Sequence, residues 1–153
     1  MPKRSKQETN ETINTIKSAV FDQLLTLGYE EMSYTSLSQQ TGISRTGICH
    51  HFPKKIHFTE GVEAILMERL LSHLDSQSGV EAFERSWMSA LKVREFTIIL
   101  QTVFYHLFAK QGSKCFAAKC IDYLLVQIKA RLSLQSDQRI NALLGQSIID
   151  LCR

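Results

Sequence analysis

The stretch from Ser33 to His51 constrains the fold more than any other. Apolar Leu37, Ile43 and Ile48 are spaced there for two short helices, and Gly42 stands between them, able to take the positive φ of a tight turn. Ser33 and Ser44 are each placed to cap the helix that follows. Upstream, Ile13, Ile16, Ala19, Val20, Leu24 and Leu27 recur at helical spacing from Thr9 to Leu27, with Gly28 as the stop. Three helices in so short a stretch predict a compact bundle. Leu37 as inner anchor, small Ser38 where two helices approach, Gly42 at the turn, and Ile43 with Ile48 as the lock supply what a helix-turn-helix needs. On spacing alone an ordinary helical hairpin fits equally well.

Charge favours the first of these. From Met32 to His57 the charged residues are Arg45, Lys54 and Lys55, with no Asp or Glu, although acids flank the window at Glu30, Glu31, Glu60 and Glu63. A surface pressed against phosphates requires such a window. The formal net charge of +3 is too small to carry this argument, because the distribution of charge makes the electrostatic footprint. Lys3, Arg4 and Lys6 form a basic arm suited to backbone or minor-groove contacts, and equally to a solvated terminus.

Pro53 sits where a fourth helix can begin, carried past Gly61 by Phe58, Val62, Ile65, Leu66, Leu70 and Leu74. Polar Asp75 to Gly79 is the best boundary before further helices near 80–92, 94–110, 114–134 and 137–151. Only two prolines and seven glycines in 153 residues suit helices joined by short turns. The predicted fold is therefore all-α. Residues 1–57 form a three-helix DNA-binding domain, and residues 58–153 a linking helix with a small helical regulatory and dimerisation domain.

Several function classes are disfavoured. The N-terminal run has no apolar h-region, so no export signal is expected. Phe96 to Phe108 is interrupted by polar residues and is shorter than the ~20 residues a spanning helix needs, so it reads as core and the expected location is the cytoplasm. Cys49, Cys115, Cys120 and Cys152 form no CxxC pair, which argues against a disulfide framework or a zinc knuckle. His50, His51 and His57 lie near Cys49, yet neighbours on a short helix point in different directions, so no metal is expected. No nucleophile with a base, Gly-rich phosphate loop or paired carboxylates stands out, so neither enzyme chemistry nor a cofactor is expected.

Gly28-Tyr29, then Tyr34-Thr35-Ser36-Leu37, then the run from Gly42 through Arg45-Thr46-Gly47-Ile48-Cys49-His50-His51 to Lys55 resembles the TetR family of transcriptional regulators. The resemblance covers roughly residues 9 to 74. Chain length and the N-terminal run also resemble the small LuxT-like regulators of marine bacteria. The resemblance implies a repressor or activator that binds a partly palindromic double-stranded operator as a homodimer. It implies that Arg45, Thr46 and His50 face base edges, Arg45 by a bidentate contact to guanine. It further implies that His51 and Lys55 hold the DNA backbone, and that Tyr34 and Thr35 meet phosphates through side chains and free amides. Gly47 and Cys49 share that face but depart from the family, which usually has Thr and Tyr there. Gly47 either allows close approach to DNA or is only tolerated, and Cys49 reads as a small filler more readily than as a redox sensor.

The C-terminal region is rich in aromatic residues that a small core explains well. Family members often hold an inducer in this region, and Trp87, Phe104 and Phe108 are the candidate lining for a small-molecule effector of unassigned identity. One short recognition helix reads too few base pairs to find an operator, so two copies are needed. Apolar stripes on the last two helices supply candidate dimer contacts at Ile121, Leu125, Ile128, Leu144 and Ile148. A shared four-helix bundle there would set the recognition helices about 34 Å apart. The other reading is a helical protein–protein adaptor without DNA affinity.

Overall fold

The computed structural model describes residues 5–109, 114–133 and 137–153. Among them are eight helices and no strand: α1 (Lys6–Thr26), α2 (Tyr34–Thr41), α3 (Arg45–His51), α4 (Ile56–Ser72), α5 (Val80–Ala90), α6 (Arg94–Phe108), α7 (Lys114–Leu132) and α8 (Gln138–Leu151). The fold is all-α, as the sequence predicts. The chain divides between Val62 and Glu63 into two compact units, within α4, whereas the sequence suggested a boundary before residue 58. No helix among the described residues is long and apolar enough to cross a membrane.

In the first unit, the start of α1 lies upstream of the expected Thr9. A capping box sets it: Ser5 Oγ accepts from the Glu8 amide at 3.1 Å while the Glu8 carboxylate accepts from the Ser5 amide at 2.8 Å. At the other end Gly28 takes φ +83 and its amide returns to the Gln23 and Leu24 carbonyls. Ser33 and Ser44 cap α2 and α3 as expected, and Gly42 closes α2 in the left-handed region at φ +72. The fourth helix starts at Ile56, not at Pro53. Pro53 disfavours helical geometry in Phe52 and so ends α3, and the Lys54 amide is satisfied by His57 Nδ1 at 3.2 Å in the turn that precedes α4. Ile16, Val20, Leu24, Met32, Leu37, Ile48 and Phe58 fill the core with 1 % exposure or less. Each such side chain contributes roughly 1.5–3 kcal/mol relative to exposure.

The second unit packs Phe83, Trp87, Phe96, Leu100, Phe116 and Leu124 at its centre. Trp87 meets Phe96 edge-on with centroids 5.4 Å apart, and its indole N–H donates to buried Ser147 Oγ at 2.8 Å. Ser147 in turn donates to the Leu143 carbonyl, so the polar end of the tryptophan is satisfied without water. His106 is wholly buried between the Tyr105 and Phe116 rings, and burial lowers its pKa to about 4. Burial likewise pushes the Cys120 thiol up to about 12, which leaves it protonated and unreactive at neutral pH.

Candidate nucleic-acid interface

Helix α3 hangs on one buried residue of its own, Ile48. Its outward positions are Arg45, Thr46, Cys49 and His50, all exposed, with His51 half-buried and its ring 5.1 Å from that of His50. The structure thus brings Arg45, Thr46, Cys49 and His50 onto the exposed side of one short helix. Gly47 does something else. A Cβ built there would lie 3.2 Å from both Ile43 Cγ2 and Ser44 Oγ, the hydroxyl that caps the Gly47 amide. Its bareness suits the first turn of α3 itself, where a side chain would require Ile43 or Ser44 to give by a few tenths of an ångström.

Tyr34 also departs from the expected role. Its hydroxyl donates to the Phe52 carbonyl at 2.5 Å and its ring packs against Phe58, 4.9 Å between centroids. Burial, with Cys49 adding to it, raises the Tyr34 pKa and keeps that proton in place. The side chain is a strut between the start of α2 and the end of α3, not a phosphate donor. What α2 offers outward is the first-turn amides of Tyr34 and Thr35, which have no acceptor within the helix, while Ser33 Oγ takes the Ser36 amide. Thr35 is exposed beside them.

Lys55 is half-buried and held from two sides. Its ammonium donates to the Glu30 carbonyl at 2.8 Å and lies 4.7 Å from the centroid of the Tyr29 ring. Burial lowers its pKa, and nearby Glu30 and Glu31 oppose that shift. Two of its three N–H donors remain for an anion, with the cation already positioned. Lys54 is exposed, and His57 is tied back to the Lys54 amide. Among the described residues no group of three or more His, Cys, Asp or Glu side chains is placed to hold a metal ion. Of the basic arm, Lys3 and Arg4 lie outside the described residues, and Lys6 opens α1 in an exposed position.

The expected effector lining does not assemble. Trp87 is fully buried in core packing, Phe104 is half-buried and Phe108 is 82 % exposed, so one wall of a pocket cannot include all three. Two open grooves in this unit, one lined by Asp122, Leu125, Val126, Lys129 and Asp137 and the other by Ser76, Gln77 and Arg131, contain none of them.

The family model described as the tetracycline repressor LuxT C-terminal domain matches residues 64–151, more than half of the chain. The chain belongs to the TetR family, in its LuxT-like type. It is accordingly a transcriptional regulator, and the helix-turn-helix geometry occupies the residues that carry the family resemblance. No curated protein matches the chain.

In this TetR-family chain the last two helices leave apolar surface uncovered. Ile121, Leu125 and Leu144 are half-buried and Ile148 is 38 % exposed, whereas Ile128 is completely buried. Ile128 is therefore a core residue of its own unit, unable to touch a partner. The sequence reading missed two larger exposed groups, Val126 at 62 % and Ile149 at 51 %. Near them Ala118, Ala130, Ala142 and Gly145 are exposed, and a Cβ at Gly145 would meet nothing within 4 Å. Also unforeseen were two contacts that shape the first unit: Gly61 against Phe52, and buried Gln23 against α2. The signal available for Gln23 was its place inside an otherwise apolar stripe.

Proposed function

We propose that this protein is a sequence-specific DNA-binding regulator that recognises a partly palindromic operator as a homodimer. One observation carries the reading: α3 presents Arg45, Thr46, Cys49 and His50 outward in a stretch from Met32 to His57 that holds no acidic residue. Arg45 opens the helix and is free of the core, suited to a guanine edge in the major groove. The α2 amides and the pre-positioned Lys55 flank it as backbone contacts. Uncovered apolar groups on α7 and α8, Val126, Ile148 and Ile149 above all, support pairing of two copies through these helices.

Genome-wide footprinting of the native protein, followed by fluorescence anisotropy on the recovered site, tests this. Arg45→Ala is expected to erase preference at one or two base pairs at a cost of ~1–3 kcal/mol. Lys55→Ala is expected to weaken all sequences alike and lower the salt slope by about one unit. Absence of salt-dependent DNA affinity would favour the adaptor reading instead.

A further inference from the structure

The α2 helix buries only Leu37, and one apolar side chain cannot fix the rotation of a helix about its own axis. Directional bonds do that here. Gln23 of α1 is 5 % exposed, and both ends of its amide are used: Oε1 accepts from Ser36 Oγ at 2.6 Å and Nε2 donates to Gln40 Oε1 at 2.7 Å. Ser36 and Gln40 are one turn apart on α2 and flank Leu37. Gln40 reaches on to Asp22 at 3.4 Å, and Ser36 Oγ also accepts from the Ser33 amide in the capping box. A single buried amide therefore grips α2 at its capped first turn and near its last turn. An apolar residue of similar size would cost less to bury, so the glutamine serves orientation more than stability.

We infer that Gln23 is a positioning residue for DNA binding, acting through Ser36 and Gln40 to aim the Tyr34 and Thr35 amides at a backbone phosphate. This rests on the proposed function, in which the start of α2 meets the DNA backbone. Those amides carry no net charge, so their contact releases no counterion and leaves the salt dependence alone. That separates them from Lys55.

The test measures the affinity of the full chain for its footprinted operator, and for random duplex, across a salt series, with thermal unfolding in parallel. Gln23→Leu is expected to unfold at the same or a higher temperature and to bind both DNAs about tenfold more weakly. The line of log affinity against log salt should be displaced without a change of slope. Affinity within twofold of the wild type, or an altered slope, overturns the role. If Gln23→Leu lowers the unfolding temperature, Gln40→Ala, at an exposed position, decides. Combined with Gln23→Leu it should cost no more than Gln23→Leu alone, and additive losses refute the shared action. A wild type that binds no duplex at low salt removes the DNA-binding reading itself. Tight wild-type binding with an indifferent Gln23→Leu removes only the positioning role.

Discussion

Gly61 lies inside α4, where helix propensity by itself argues for alanine by about 1 kcal/mol. The structure reverses the sign. A Cβ at Gly61 would stand 2.9 Å from Phe52 Cε1, 3.7 Å from Phe52 Cζ and 3.6 Å from Lys17 Cε. Carbon pairs are content at about 3.5–4.0 Å, so the ring must retreat by more than half an ångström. Lys17 can swing away, but Phe52 cannot: it is buried, its ring is 5.6 Å from that of Phe58, and its carbonyl holds the Tyr34 hydroxyl. Overpacking of this kind costs about 1–3 kcal/mol, so Gly61→Ala should be destabilising by about 1 kcal/mol after the helical gain is subtracted. Urea unfolding followed by circular dichroism measures it. Trimming the ring should restore the ordinary preference, making Gly61→Ala stabilising in a Phe52→Leu background, a coupling visible in a double-mutant cycle. A Gly61→Ala protein more stable than wild type by the propensity value would show that the Phe52 ring is not confined as described.

Three other outcomes follow from separate contacts. Tyr34→Phe keeps the ring against Phe58 but leaves the Phe52 carbonyl without its donor, and should cost about 1–2 kcal/mol in the same unfolding assay, whereas an unchanged midpoint would deny the strut. His106 is held neutral with a pKa of about 4 against 6.5 when unfolded, so its contribution is intact above pH 6.5 and is lost as pH falls towards 4. The loss should approach ~3 kcal/mol and should vanish in His106→Phe if that variant folds, as urea midpoints across this pH range will show. Ile149→Glu puts a charge on a half-exposed apolar site and should yield a folded monomer by light scattering with weakened operator binding; a dimer of undiminished stability would move the interface elsewhere.

Local signals made the helix-turn-helix readable from sequence: two serine caps, a glycine at positive φ, and apolar anchors at Leu37 and Ile48. Helix periodicity in the second half gave the order of its helices, since Lys114–Leu132 and Gln138–Leu151 each carry an apolar stripe. What periodicity cannot give is which side of a stripe meets the core of its own unit. Ile128 points inward and Val126 outward, although both are aliphatic and only two residues apart. The same holds for Phe108, at the end of α6 beyond the reach of the core that takes Phe96 and Phe116. Tyr34 was misread for a different reason. Its tertiary acceptor, the Phe52 carbonyl, is distant in sequence and a backbone atom, and no residue pattern records it.

Tyr34 was hard to read because α2 and α3 bury so little. Each has a single buried residue, so hydrophobic contact decides that they pack but not at what angle. The angle is left to directional and steric contacts: Gln23 from α1, the strut from Tyr34 at the start of α2 to the Phe52 carbonyl, Lys55 on the Glu30 carbonyl, and the gap at Gly61 into which the Phe52 ring fits. None of these uses Arg45, Thr46, Cys49 or His50. The groups that fix α3 and the groups proposed to read DNA are therefore nearly separate sets, with Lys55 on the border between them. Such a division lets the exposed set change with little effect on the fold, because surface substitutions away from packed or bonded groups usually shift stability by no more than about 0.5 kcal/mol. It also fits the two departures from the family resemblance: Gly47 lies in the first turn of α3, where a Cβ would press on Ile43 and Ser44, and Cys49 lies on the side that no lock depends on.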